Sequence, residues 1–136
     1  MIRWLLLLFL IASWPTCASE AWDFAKPHKE RCATGGQQDM NLCIYREYKQ
    51  VESRVDHAYE GLLSSLEDPI PLQRAQLAWV AFRDASCLYE ASGFGEEGSF
   101  YPFVTYSCRI DLAEKRLRDL EAYAECTGNG CPVRKI

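Results

Sequence analysis

Residues 39–67 read DMNLCIYREYKQVESRVDHAYEGLLSSLE, and their spacing decides the fold. Ile44, Tyr48, Val51, Val55, Tyr59, Leu62 and Leu66 recur at steps of three or four. That period lines up one face of an α-helix. Arg46, Lys49, Glu52, Ser53, Asp56 and Glu60 fall on the other side and read as a solvated face. Asp39 stands where a side-chain oxygen can cap the first turn. The spacing predicts one long helix, about residues 39–67, with a continuous apolar stripe.

Asp68-Pro69-Ile70-Pro71 ends that helix, because each proline lacks an amide donor and restricts its predecessor. Pro71 also suits the first turn of a following helix. Leu72, Ala75, Trp79, Phe82 and Tyr89 mark the stripe of a second helix, about 71–91, with Trp79 and Phe82 facing the interior. Gly93, Gly95 and Gly98 then make residues 92–99 a loop, since glycine at that density opposes helix formation. Phe103, Tyr106, Ile110, Ala113, Leu117, Leu120 and Ala124 predict a third helix over 101–125, closed by the turn Thr127-Gly128-Asn129-Gly130. No segment alternates with period two for long enough to compete as a strand. The expected fold is all-α: a small antiparallel three-helix bundle of long amphipathic helices, running up-down-up. Residues 22–38, with Pro27 and Gly35-Gly36 and no period, read as an irregular lead-in, and 127–136 as a C-terminal tail.

The N-terminus places one positive charge, Arg3, before an apolar stretch from Trp4 to Trp14. Such a pattern fits a secretory signal, expected over residues 1–21 with cleavage after Ala18, Ser19 or Ala21. A membrane span needs about 20 apolar residues, so no permanent anchor is expected. Cys17 raises the question of lipidation, but Trp14-Pro15-Thr16 before it lacks the pattern of a lipidation site. The expected location is periplasmic or secreted.

Of the seven cysteines in the chain, six follow the signal: Cys32, Cys43, Cys87, Cys108, Cys126 and Cys131. An even count in a small exported domain implies a disulfide framework. Cys87 and Cys108 sit similar distances before and after the glycine loop, where an antiparallel hairpin places them side by side. Cys126 and Cys131 flank a tight turn, within bridging reach. Cys32 can fold back from the lead-in onto Cys43 near the start of the first helix. Cys126-x4-Cys131 is not the motif of thiol oxidoreductases, and structural zinc would need ligands that His28 and His57 do not complete. No metal or cofactor is expected.

The net charge of −4 argues against a nucleic-acid binder, which needs a clustered basic face. Catalysis is not expected either. His57 sits on the polar side of the first helix and His28 in the lead-in, both read as solvent-exposed, with no cysteine or serine partner at a recognisable spacing. Glu96 and Glu97 are adjacent in a loop, unlike a glycosidase pair held across a substrate. Their charge also opposes phosphate binding at the helix start that follows.

Gln76-Leu77-Ala78-Trp79-Val80-Ala81-Phe82-Arg83-Asp84-Ala85-Ser86-Cys87 resembles the most distinctive stretch of the LprI-type lysozyme inhibitor domains, a bacterial family of small exported proteins. Asp39-Met40-Asn41-Leu42-Cys43 and Tyr59-x-x-Leu62 look like that family's first helix. Gly98-Ser99, Cys108 and Arg116-x-x-x-Leu120 look like its closing half. The resemblance covers about residues 32–120. It implies a non-catalytic envelope protein that inhibits a lysozyme-like hydrolase. An acidic domain can be steered to a cationic lysozyme and occlude its cleft. Glu96, Glu97, Ser99, Phe100 and Tyr101 form the loop expected to touch the partner. The alternative is an envelope interaction or immunity-type module with a different protein partner. In the resembling domains a second glycine often precedes Gly-Ser; here Glu96-Glu97 stand there, and the Cys126–Cys131 tail looks like an addition.

Overall fold

The computed structural model describes residues 27–135. The expected signal, Cys17 and residues 22–26 of the lead-in lie outside them. Four helices follow in order: α1 (Pro27–Cys32), α2 (Gln37–Ser65), α3 (Ile70–Ala91) and α4 (Tyr101–Glu125), with a 3-10 turn, Ser92–Phe94, between the last two. The three long helices are those the periodicity predicts, packed as an up-down-up bundle. The lead-in is not wholly irregular. Pro27 opens a short helix there, as proline can in a first turn.

Asp39 does not take the capping position expected of it. The helix starts two residues earlier, and Asp39 reaches back from its third position to accept the Gly36 N–H at 3.2 Å. Gly35 makes this possible: its φ is +85°, and a Cβ there would press against the Asp39 carboxylate at 3.1 Å.

The core lies between α2 and α4. Ile44, Val55 and Leu62 from α2, with Leu66 at its C-cap, meet Phe103, Ile110, Leu117 and Leu120 from α4, all buried. Tyr59, on the predicted stripe, is half-buried. Helix α4 buries more of its circumference than one stripe, including Val104, Cys108 and Arg116. It is sandwiched, with α2 on one side and α3 on the other.

Helix α3 departs from its predicted stripe. Leu72 and Trp79 are half-buried, but Phe82 is 58% and Tyr89 81% exposed. The buried positions are instead Arg83, Cys87 and Ala91, with Gln76 half-buried on the same line. The reason is polar. Arg116 of α4 donates from Nε to Gln76 Oε1 at 2.9 Å, and Arg83 reaches Glu52 of α2 at 3.6 Å. Buried polar groups need partners, and meeting them turns α3 so that its more apolar side faces water.

Three disulfides close the frame: Cys32–Cys43, Cys87–Cys108 and Cys126–Cys131, with Cα–Cα distances of 5.4, 5.5 and 5.7 Å. They are the pairs the sequence suggests, and each stabilises by about 2–4 kcal/mol, chiefly by restricting the unfolded chain. The tail is integrated too. The Glu67 N–H donates to Val133 O and the Lys135 N–H to Ser65 O. Arg134 donates to the Tyr123 and Ala124 carbonyls at 2.7 Å each, satisfying the open end of α4.

Candidate functional site

The loop between α3 and α4 is built from backbone outward. Gly95 takes φ +68°, the Gly98 N–H donates to Gly95 O at 2.9 Å, and the Tyr101 N–H donates to Gly98 O at 3.0 Å. Gly98 is the tight point: a Cβ there would lie 2.2 Å from the Phe94 carbonyl oxygen. Beneath the loop, Phe94, Phe100 and Phe103 form an aromatic ladder with centroid separations of 5.4 and 5.1 Å. Asn41 of α2 donates from Nδ2 to Ser99 O at 2.9 Å. The Cys87–Cys108 bridge ties the two helices just below.

This construction divides the five loop residues singled out by sequence. Glu96, Glu97 and Ser99 are exposed at the tip. Phe100 and Tyr101 are half-buried at the base, with Phe100 packed against the core as an anchor. Two carboxylates are thus displayed on a loop held from below by rings, a cross-helix hydrogen bond and a disulfide. Such pre-ordering lowers the entropy lost when a loop meets a partner.

A second cluster fills the space between α2, α3 and α4. Tyr48 donates its hydroxyl to Glu52 Oε1, and Lys49 Nζ sits 2.5 Å from Glu52 Oε2. Arg83 is bound to Asp84 at 3.0 Å and lies 5.1 Å over the Trp79 ring. Arg109 reaches Asp84 at 3.4 Å and lies over Tyr48 and Tyr106 at 5.8 Å each. Burial, then the bond to Glu52, pushes the Tyr48 hydroxyl well above its usual range. Burial pushes the Glu52 carboxyl up, but the bonds from Lys49 and Tyr48 outweigh it and hold the group below the usual range. Glu52, read as part of a solvated face, is therefore a half-buried structural carboxylate. Its position four residues after Tyr48 was the available signal.

The histidines differ from each other. His57 is exposed, as expected. His28 is not: it is 4% exposed, with Nε2 3.5 Å from Asp111 Oδ1, and Lys29 lies 3.6 Å from the same carboxylate. Periodicity could not show this, because α1 is too short to carry a pattern. Ser53, His57 and Glu121 line one shallow hollow between α2 and α4, but no hydrogen bond joins any two of them. A nucleophile and its base need contact at about 2.6–3.2 Å. A mainly apolar groove of about 550 Å³ at the opposite end, lined by Leu62, Leu66, Leu72, Tyr123 and Val133 with Glu67 and Asp68 among its lining, holds no serine, cysteine or histidine. Among the described residues no group of three or more His, Cys, Asp or Glu is placed to hold a metal ion, and no helix is long and apolar enough to cross a membrane.

The architecture defines a class: a small disulfide-stapled helical domain whose distinctive features are surfaces. The chain matches the family described as Lysozyme inhibitor LprI over residues 29–120, and it belongs to that family. It is also similar to an uncharacterized protein, R02472, of Rhizobium meliloti (strain 1021), at 22% identity over 129 residues, spanning 83% of this chain and 91% of the relative. No solved structure matches.

Proposed function

We propose that this protein is exported to the periplasm or beyond and inhibits a lysozyme-like peptidoglycan hydrolase by occlusion, without chemistry of its own. Membership in a lysozyme inhibitor family carries the reading. The loop geometry supports it. Glu96 and Glu97 stand exposed on a braced loop in a chain of net charge −4. Lysozyme works through two carboxylates across a sugar-binding cleft. A cationic hydrolase of that kind is steered by an acidic loop, and the loop then blocks access. Phe100 and Tyr101 hold the loop's base while Glu96, Glu97 and Ser99 meet the partner.

The test is cell-wall lysis by lysozymes of several types, titrated with the oxidised protein and with a Glu96→Ala/Glu97→Ala double variant. Near-stoichiometric inhibition is expected. The double variant should inhibit about tenfold less well at low ionic strength, since exposed ion pairs contribute up to about 1 kcal/mol. The difference should shrink in salt as the Debye length falls. Failure to inhibit any lysozyme type would sink the proposal and leave an envelope module with a different protein partner. Full inhibition by the double variant would move the contact surface away from this loop.

A further inference from the structure

The rotation of α3 that turns Gln76 and Arg83 inward leaves a largely apolar face in water, beginning one turn after the exposed Arg74. Between Leu77 and Tyr89 the large exposed residues are Leu77 (73%), Phe82 (58%), Leu88 (48%) and Tyr89 (81%). The other exposed positions in that stretch are Ala78, Ala81 and Ala85. The charge nearest this face is Asp84, whose side chain is 39% exposed at its edge and is held by Arg83 at 3.0 Å and Arg109 at 3.4 Å; the exposed positions named above carry none. A contiguous patch of this kind marks an interaction surface.

We infer that this face pairs with the same face of a second copy of the chain, through an antiparallel α3–α3 contact about a two-fold axis. The arrangement of the side chains is what selects a second copy. Leu77 and Tyr89 lie at equal distances either side of residue 83, as do Ala78 and Leu88, and Ala81 and Ala85, while Phe82 is matched by Asp84 at the edge of the face. An isologous contact requires this kind of self-complementarity. Folding the face onto itself sets Ala81 against the partner's Ala85 at the centre, where small side chains let the helices approach to about 8 Å. It sets Ala78 against the partner's Leu88, small into large, and closes each end with Leu77 against the partner's Tyr89.

Area supports the same occupant. At about 150–250 Å² for an aromatic side chain, the four large residues and three alanines expose on the order of 650 Å² per copy. The pair would bury about 1,300 Å², inside the range of stable specific interfaces. The low charge of this face distinguishes it from the acidic loop. Asp84 at its edge is already paired with Arg83 and Arg109, so a cationic partner finds little complement on it, whereas an apolar surface of its own kind does.

The experiment is sedimentation velocity on the oxidised, exported protein from about 1 to 100 μM, a range that brackets Kd values in the micromolar region. Ala81→Glu and Leu88→Glu variants are run beside it, with far-UV circular dichroism and thermal unfolding on each. Both positions are exposed, so both variants should fold as the parent does. The parent is expected to reach twice the chain mass. Each variant should weaken association about 100-fold or more, because a carboxylate is then buried against apolar side chains without a partner. A parent that stays monomeric throughout would overturn the inference. So would a dimer that survives both substitutions. Loss of hydrolase inhibition in Ala81→Glu, with a monomeric parent, would assign the face to the hydrolase and refute self-pairing. Mass reads this inference and lysis reads the inhibitory function, so either can fail alone.

Discussion

Replacing Arg83 by Ala removes the cation at the centre of the α2–α3–α4 cluster. Its side chain is 9% exposed, bound to Asp84 at 3.0 Å and 3.6 Å from Glu52. It also covers Trp79 at 5.1 Å and Tyr48 at 6.0 Å. Breaking a fully buried ion pair costs about 3–5 kcal/mol. This one costs less, for two reasons. Asp84 is 39% exposed and keeps Arg109, while Glu52 keeps Lys49 and Tyr48. Water and those partners screen the carboxylates left behind. The lost contacts with two rings add roughly 0.5–1 kcal/mol each. The expected cost is about 2–3 kcal/mol, or roughly 10–15 °C in Tm for a domain of this size. Arg83→Met retains the stem over the rings and should lose about half as much. Thermal unfolding of the oxidised variants at neutral pH reads both numbers, and the intact disulfides keep the unfolded chain equally restricted in each. A Tm for Arg83→Ala within about 3 °C of the parent would refute the reasoning. Equal losses for Ala and Met would show that stacking contributes nothing.

Two further predictions concern the loop and acid stability. Gly98→Ala places a methyl group against the Phe94 carbonyl, a backbone atom that cannot swing away, so it should cost about 1–3 kcal/mol by denaturant midpoint and disturb the Glu96–Glu97 tip. An unchanged midpoint would mean the turn relaxes freely. Glu52, held below its usual range, stabilises the fold above the unfolded carboxyl value of 4.5 and loses that contribution as pH falls through its folded value. Asp56 runs the other way. Burial and the nearby Glu52 and Glu60 raise it, so its charge disfavours the fold at neutral pH and protonation relieves this. In unfolding curves from pH 7 to 3, Glu52→Gln should therefore lower Tm at neutral pH and flatten the acid limb. Asp56→Asn should raise Tm slightly at neutral pH, by a few tenths of a kcal/mol after solvent screening.

Much of this protein is legible along the chain because its information is local. The stripe from Ile44 to Leu66 and the run from Phe103 to Leu120 are helical periods, and prolines and glycines mark the breaks between them. The cysteine pairs follow once the helices are ordered, since each joins positions made neighbours by a hairpin, a turn or a short fold-back. The acidic pair at the loop tip is also visible, as two carboxylates flanked by glycine.

The orientation of α3 was decided only in three dimensions. Its sequence is apolar on more than one side, so periodicity alone selected Phe82 and Tyr89 for the interior. The structure turns Gln76, Arg83 and Cys87 inward instead, because Arg116, Glu52 and Cys108 come from distant parts of the chain to meet them. The burial of His28 beside Asp111, the return of Glu52 to the interior and the capping of α4 by Arg134 arise in the same way. Each is a polar group satisfied across a long sequence separation. Hydrophobic spacing records which residues avoid water, but it does not record which buried donors and acceptors will find one another.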